Sequence, residues 1–178
     1  MLNKKINTIK YEPNFKKHNY SKIAQFNCGN DDINGIFRKK LDKLPTTTYL
    51  FMDIETNKII SFVSFCASSI QIQNDGLFSY PAVELKLFGV DKVYQHESVT
   101  ISENIVLKYS EFTFQWFLSY IKQVIKPSIN VEYLVLHSVL SKNTIMFYQK
   151  MGLQSLNKSE SIHESDFSNG CIPMYLKL

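Results

Sequence analysis

Few side chains in this 178-residue chain have the type and spacing to do chemistry, and the first of them lie on the alternating run 82–90. Side chains alternate along a strand, so Glu84, Lys86 and Phe88 share one face, and Val83, Leu85 and Leu87 the other. A carboxylate in that position has two fates. Partly buried, its pKa rises and it can take up a proton; beside Lys86, it is held in an ion pair. Gly89 interrupts the same run, and a glycine within a strand marks a bulge, a close approach of ligand or backbone, or simple relief of crowding. His137 ends the apolar run VEYLVLH and reads as a satisfied structural histidine more than as a catalyst. Cys28, Cys66 and Cys171 form no C-x-x-C pair and leave an odd count, so neither a disulfide framework nor a metal site is expected. Cys28 and Cys66 also lack a basic neighbour in sequence that would activate a thiolate.

The elements that position these groups follow from periodicity. Asn30, Asp31 and Asp32 offer capping side chains ahead of Ile33, Ile36, Phe37 and Leu41, after a polar, lysine-rich start. This predicts a short amphipathic helix ended by Pro45. Residues 49–53 and 59–66 are β-rich runs around the turn-like Glu55-Thr56-Asn57-Lys58, which predicts an antiparallel hairpin. A polar segment, 68–79, carries the turn signal Asn74-Asp75-Gly76 before Pro81 opens the strand at 82–90. From 105 to 125, Phe114, Phe117, Leu118, Ile121 and Ile125 recur at helical spacing, with Ile105, Tyr109, Phe112 and Trp116 as a second stripe. One long helix buried on two sides is expected there, stopped by Pro127. Trp116 accordingly reads as core rather than as a stacking platform for bases. The run 131–137 reads as a parallel strand covered on both faces, 141–151 as a helix closed by Gly152, and 153–156 and 172–178 as terminal strands. This order predicts an α/β (α+β) fold: a central mixed, twisted sheet, helices on both faces, and a parallel pair joined by the 82–137 crossover.

With 44% hydrophobic and 13% aromatic residues the chain can bury one sizeable core, so a single domain over 1–178 is expected. No apolar stretch approaches the roughly 20 residues of a membrane-spanning helix, and the first residues lack an apolar signal core. A cytoplasmic protein without a membrane partner is the expectation. Lys and Arg exceed Asp and Glu by 20 to 16, a formal net charge of +4 that mildly attracts nucleotides, coenzyme A phosphates or RNA. Arg38 is the only arginine, so the planar forks that read bases are nearly absent and sequence-specific nucleic-acid readout is not expected.

Three stretches share a resemblance. They are Tyr80-Pro81-Ala82-Val83-Glu84-Leu85-Lys86-Leu87-Phe88-Gly89-Val90-Asp91 with Val93-Tyr94-Gln95, then Ser141-x-x-Thr144-x-x-Phe147-Tyr148-x-x-x-Gly152-Leu153, and the ending Ile172-Pro173-Met174-Tyr175-Leu176. Together they resemble the GNAT N-acetyltransferase superfamily over roughly residues 24–178, most closely the branch of toxin-type enzymes that acetylate charged tRNA. The resemblance implies acetyl-CoA as acetyl donor, held in a splayed gap between the family's fourth and fifth strands against backbone groups at Phe88, Gly89 and Val90. An extended strand end with a glycine suits a peptide-like pantetheine arm. The family's diphosphate loop, Q/R-x-x-G-x-G/A, lets backbone N–H groups close around phosphates at a helix N-terminus. Here Gln95-His96-Glu97-Ser98-Val99-Thr100 keeps Gln95 but sets Ser98 and Thr100 at the glycine positions and Glu97 near the phosphates. The donors left are His96 and the hydroxyls of Ser98, Thr100 or Ser102. In the later helix, either Ser141, at the family's asparagine position, or Asn143 can contact the coenzyme.

Acetyl transfer to an amine needs a deprotonated amine, a polarised carbonyl and a proton for the leaving thiolate. The resemblance implies Glu84 as the base, a backbone N–H near Val90 at the carbonyl, and Tyr148 as the acid. The alternatives are that Glu84 pairs with Lys86 and that Tyr148 is a packing aromatic. The implied function is acetyl-CoA-dependent N-acetyltransfer to a primary amine by direct attack, with aminoacyl-tRNA as the sharpest acceptor and a homodimer as a family habit. The rival is a non-catalytic GNAT-fold binding or regulatory module that has lost acetyl-CoA, favoured by the absence of both loop glycines. A fold likeness does not by itself establish a substrate.

Overall fold

The computed structural model describes residues 6–74, 76–156 and 170–178. The chain divides into two compact units, Met1–Ser64 with Leu87–Trp116, and Phe65–Lys86 with Phe117–Leu178. The first unit holds β1 (Ile6–Lys10), α1 (Pro13–His18), α2 (Tyr20–Gln25), α3 (Asp31–Lys39) and β2 (Thr47–Asp53). It also takes the start of β3 (Ile59–Asn74), the end of β4 (Gly76–Val90), β5 (Ser98–Ser102), β6 (Ile105–Lys108) and most of α4 (Tyr109–Tyr120). The second unit takes the rest of β3, β4 and α4, and adds α5 (Lys126–Ile129), β7 (Tyr133–Val139), α6 (Lys142–Lys150), β8 (Gln154–Ser155) and β9 (Cys171–Lys177).

Seven strands pair in the order β1-β2-β3-β4-β7-β9-β8, and β5 and β6 form a separate two-stranded sheet. β7 runs parallel to β4 and antiparallel to β9, so the large sheet is mixed, as the element order predicts. No helix among the described residues is long and apolar enough to cross a membrane.

In the first unit, the predicted helix forms as α3. Asn30 Oδ1 accepts the Ile33 N–H at 3.0 Å, Asp31 and Asp32 fill the first turn, and Arg38 and Lys39 the last, each matching the helix dipole. The helix ends at Lys39, and Leu41 is buried from a following 3-10 turn. Phe37 carries the apolar face inward, where its ring stacks on Phe62 at 4.4 Å and meets Phe26 at 4.6 Å. Burying each such ring contributes about 1.5–3 kcal/mol. The hairpin of β2 and β3 also forms. Asp53 closes it, donating its N–H to the Lys58 carbonyl while its Oδ1 accepts from Glu55 and Thr56 N–H. Asn57 takes the left-handed conformation that asparagine tolerates, at φ 56.

Several sequence expectations need correction. The polar start contains β1, whose INTIK pairs with β2 from Ile6–Asp53 to Lys10–Tyr49, and the short helices α1 and α2. The polar segment 68–79 is mostly strand, because β3 runs to Asn74 and β4 starts at Gly76; the centre of the expected turn, Asp75, lies outside the described residues. The long helix begins at Tyr109 rather than at Ile105, since Ile105–Lys108 pairs with Ser98–Ser102 as a hairpin. Val99, Thr100, Ile101, Ile105 and Val106 are β-branched, and strand pairing uses them where a helix would restrict them. Finally, Pro127 does not stop the helix. The backbone passes through a π-helical turn, Ile121–Ile125, and continues into α5 with Pro127 in its first turn, where the fixed φ of proline is compatible with helix. The turn ends at Asn130, left-handed at φ 48.

In the second unit, β7 pairs with β4 from Ala82–Tyr133 to Leu85–Leu136. Ile70, Ala82, Tyr133 and Leu156 form its buried cluster, with Tyr80, Val135 and Tyr175 packed on the edge. α6 ends as predicted at Gly152, left-handed at φ 92. β7 is not covered on both faces, however: Leu134 and Leu136 are buried, Val135 only half so, and His137 is exposed.

Candidate active site

The second unit collects the titratable groups. The parallel register sets Glu84 beside Val135, and the next residues of that face are Lys86 on β4 and His137 on β7. Lys86 Nζ reaches Glu84 Oε1 at 2.5 Å, His137 Nδ1 stands 3.6 Å from the same oxygen, and Ser68 Oγ of β3 donates to Oε2 at 3.2 Å. The Glu84 side chain is only 12% exposed. Burial alone would push its carboxyl up, but hydrogen bonding to His137 and Lys86, with their charge, outweighs burial and holds it down at about 2. Glu84 is therefore an ionised, ion-paired carboxylate, and the expectation of a base with a raised pKa is overturned. The neighbouring Cys66 thiol is pushed up by burial and by the Glu84 charge, which disfavours its thiolate form.

These side chains open on a pocket of about 260 Å³, walled on its apolar side by residues such as Ile70, Leu156 and Met174. His137, read from sequence as structural, lines this pocket with 42% of its side chain exposed. The signal was present in VEYLVLH: His137 falls on the same parity as Val135, hence on the Glu84 face once the strands pair in parallel. The pairing of β4 with β7 stops at Leu85–Leu136, although β4 runs on to Val90 and β7 to Val139.

Tyr148, on α6, is buried, and burial pushes its hydroxyl above the ordinary tyrosine value, so it keeps its proton at any physiological pH. Among the described residues it is not part of the pocket lining. Ser141 is the N-cap residue of α6 and half-buried; its side chain makes no capping bond, and Asn143 in the first turn is exposed.

The first unit holds the remaining expected residues, and the structure gives several of them internal duties. A Cβ on Gly89 would lie 2.8 Å from the Phe62 ring and 3.3 Å from Cys28 Cβ, so the missing side chain makes room for the aromatic core. Phe88 packs its ring on Phe114 at 6.0 Å. The Gln95 amide donates to the carbonyls of Val90, at 2.9 Å, and Cys28, at 2.8 Å, stapling the turn after β4. His96 is exposed. Ser98 and Thr100 are not in a phosphate loop: they sit in β5, paired with Lys108 and Val106 of β6. The helix that follows, α4, has an acidic first turn, where the nearly buried Glu111 accepts the Lys108 N–H at 3.3 Å. A carboxylate at a helix N-terminus takes the place an anion would otherwise occupy. The residues present therefore do not fit the family's diphosphate cradle. Among the described residues, no group of His, Cys, Asp and Glu is placed to hold a metal ion.

A mixed sheet with one parallel pair that stops short of its strand ends, followed by a helix carrying a tyrosine, is the architecture of GNAT acetyltransferases, and the chain has that fold. Solved structures of GNAT-type toxins match nearly its whole length. A bacterial toxin superposes with a TM-score of 0.76 at 20% identity, covering 97% of this chain and 90% of that one. The toxin of the KacTA–DNA complex gives 0.71 at 13%, covering 97% and 93%. AtaT complexed with acetyl-methionyl-tRNAfMet gives 0.65 at 11%, covering 97% and 95%. No protein-family model and no curated protein matches the sequence.

Proposed function

We propose that the chain is an N-acetyltransferase acting on a primary amine by direct transfer, with acetyl-CoA as the donor. The observation that carries this reading is the pocket on the β4–β7 face, where an ionised carboxylate, an imidazole and an ammonium converge beside strands whose pairing stops early. The fold likeness supports the donor, since one neighbour is AtaTR bound with AcCoA. Tyr148, kept protonated by burial, is the proposed acid. Backbone groups at Phe88, Gly89 and Val90 are the proposed partners of the donor's pantetheine arm, while Gln95, His96, Ser98, Thr100, Ser141 and Asn143 remain the polar residues nearest in sequence to the family's coenzyme positions. Charged tRNA is the proposed acceptor, supported by the formal net charge of +4 and the likeness to AtaT. A cytoplasmic place and a homodimer belong to the same proposal.

Thermal unfolding with acetyl-CoA is the first test. At 100 times its dissociation constant a ligand stabilises the native state by about 2.7 kcal/mol, so a clear rise in Tm is expected. Labelled acetyl-CoA with bulk charged tRNA should then give acetylated aminoacyl-tRNA, and Tyr148→Phe should lower that rate by at least tenfold. Full activity in Tyr148→Phe removes the tyrosine from the chemistry.

A second reading has its own support. The β5–β6 hairpin in place of a glycine loop, with Glu111 at the start of α4, favours a non-catalytic module that binds or regulates a partner. An unchanged Tm at millimolar acetyl-CoA decides for the module.

A further inference from the structure

We infer that the pocket on the β4–β7 face is a subsite for a primary amine on an apolar side chain, in which His137, not Glu84, accepts the proton and Glu84 is the positioning residue. The inference deepens the acetyltransferase reading by assigning its acceptor side. A group that takes a proton from an ammonium must be reachable and have an acceptor atom not already engaged by a cation or a donor. Glu84 fails on both counts, since Lys86 Nζ already sits 2.5 Å from Oε1 and Ser68 donates to Oε2. His137 meets both. It is exposed in the pocket, its Nδ1 faces the Glu84 carboxylate at 3.6 Å, and Nε2, the ring's other nitrogen, faces away from that carboxylate.

The step balances simply. An acceptor ammonium gives one proton to His137 Nε2, the amine keeps the freed electron pair, and the imidazolium formed is stabilised by Glu84. Histidine is the side chain whose charge ordinarily changes between pH 5 and 8. Among the described residues, the groups around it are few. β4 supplies Glu84 and Lys86, β3 supplies Ser68, and β9 supplies the uncharged Pro173 directly opposite and Tyr175 beyond it. α6, which also packs on β7, adds no residue to the pocket lining among the described residues. The volume, about 260 Å³, and the wall of Ile70, Leu156 and Met174 fit one apolar side chain and its amine, and not a nucleoside base and sugar besides.

The test uses the full chain and leucinamide as probe, followed through the His137 ring resonances by NMR. Saturable shifts at His137 are expected, with the apparent affinity at least tenfold weaker in Glu84→Gln. Ring resonances that do not move, or that move equally in Glu84→Gln, overturn the inference. Thermal melts of both proteins check that the variant is folded, and calorimetric titration of leucinamide into His137→Gln, which should bind at least tenfold more weakly than the wild type, provides an independent arm; equal affinity there overturns the role of His137. If the wild-type chain acetylates leucinamide, His137→Gln should lower kcat about 100-fold with the donor KM unchanged and remove the acid limb of the pH–rate profile; a retained acid limb overturns the role of His137. If the wild type transfers no acetyl group to any amine, the acetyltransferase reading falls, and the NMR titration still decides the amine subsite.

Discussion

At the scale of single residues, the ion-pair cluster has a calculable signature in stability. The Glu84 carboxyl lies at about 2 in the folded protein against an ordinary 4.5. A depressed folded-state value stabilises the fold above the unfolded value, so the contribution is complete above pH 4.5 and is lost as the pH falls towards 2. Its size is a few kcal/mol, of the order of 1.4 kcal/mol for each pKa unit. Denaturant titrations from pH 6 to pH 2 should show stability falling through that window, with a shallower fall in Glu84→Gln; equal slopes would remove Glu84 as the cause. Gly89 makes a second residue-scale case. Gly89→Ala forces a methyl to 2.8 Å from the Phe62 ring, and overpacking of this kind destabilises by about 1–3 kcal/mol. Chemical denaturation measures it directly, and a neutral effect would show that the Phe62 ring can give way to the added methyl.

At the scale of elements, the decisive one is the β5–β6 hairpin. It turns the stretch that resembles a phosphate loop into paired strand, with Ser98 opposite Lys108 and Thr100 opposite Val106. It then delivers α4 with Glu111 already at its first turn. Removing that charge by Glu111→Gln should lower stability by about 0.3–1 kcal/mol through the lost dipole interaction. The same variant tests the donor. If the diphosphate approaches the start of α4, Glu111→Gln raises acetyl-CoA affinity by calorimetry, and unchanged affinity shows that the donor is held without that helix end.

At the scale of the whole chain, the formal net charge of +4 rests on scattered lysines, with one arginine. Association with tRNA should be salt-sensitive and insensitive to nucleotide sequence, because lysine contacts phosphate as a point charge. Raising salt from 50 to 200 mM should weaken filter-binding affinity for bulk charged tRNA several-fold; salt-independent binding would point to a recognition mode other than phosphate contact.

The amino-acid sequence by itself determined the elements whose cause is local. Asn30 capping α3, the turn closed by Asp53, Gly152 ending α6 and the parallel order of β4 and β7 all follow from short-range chemistry and the strand–helix–strand order. Its resemblance to the GNAT pattern was equally legible. What only the tertiary structure decided are matters of non-local pairing. Ile105–Lys108 satisfies a helical stripe and a strand alternation alike, and the hydrogen bonds of Ser98–Ser102 settle which one forms. Glu84 could have been a buried base or an ion pair, and the outcome depends on how near Lys86, His137 and Ser68 stand, a distance set when strands far apart in sequence come into register.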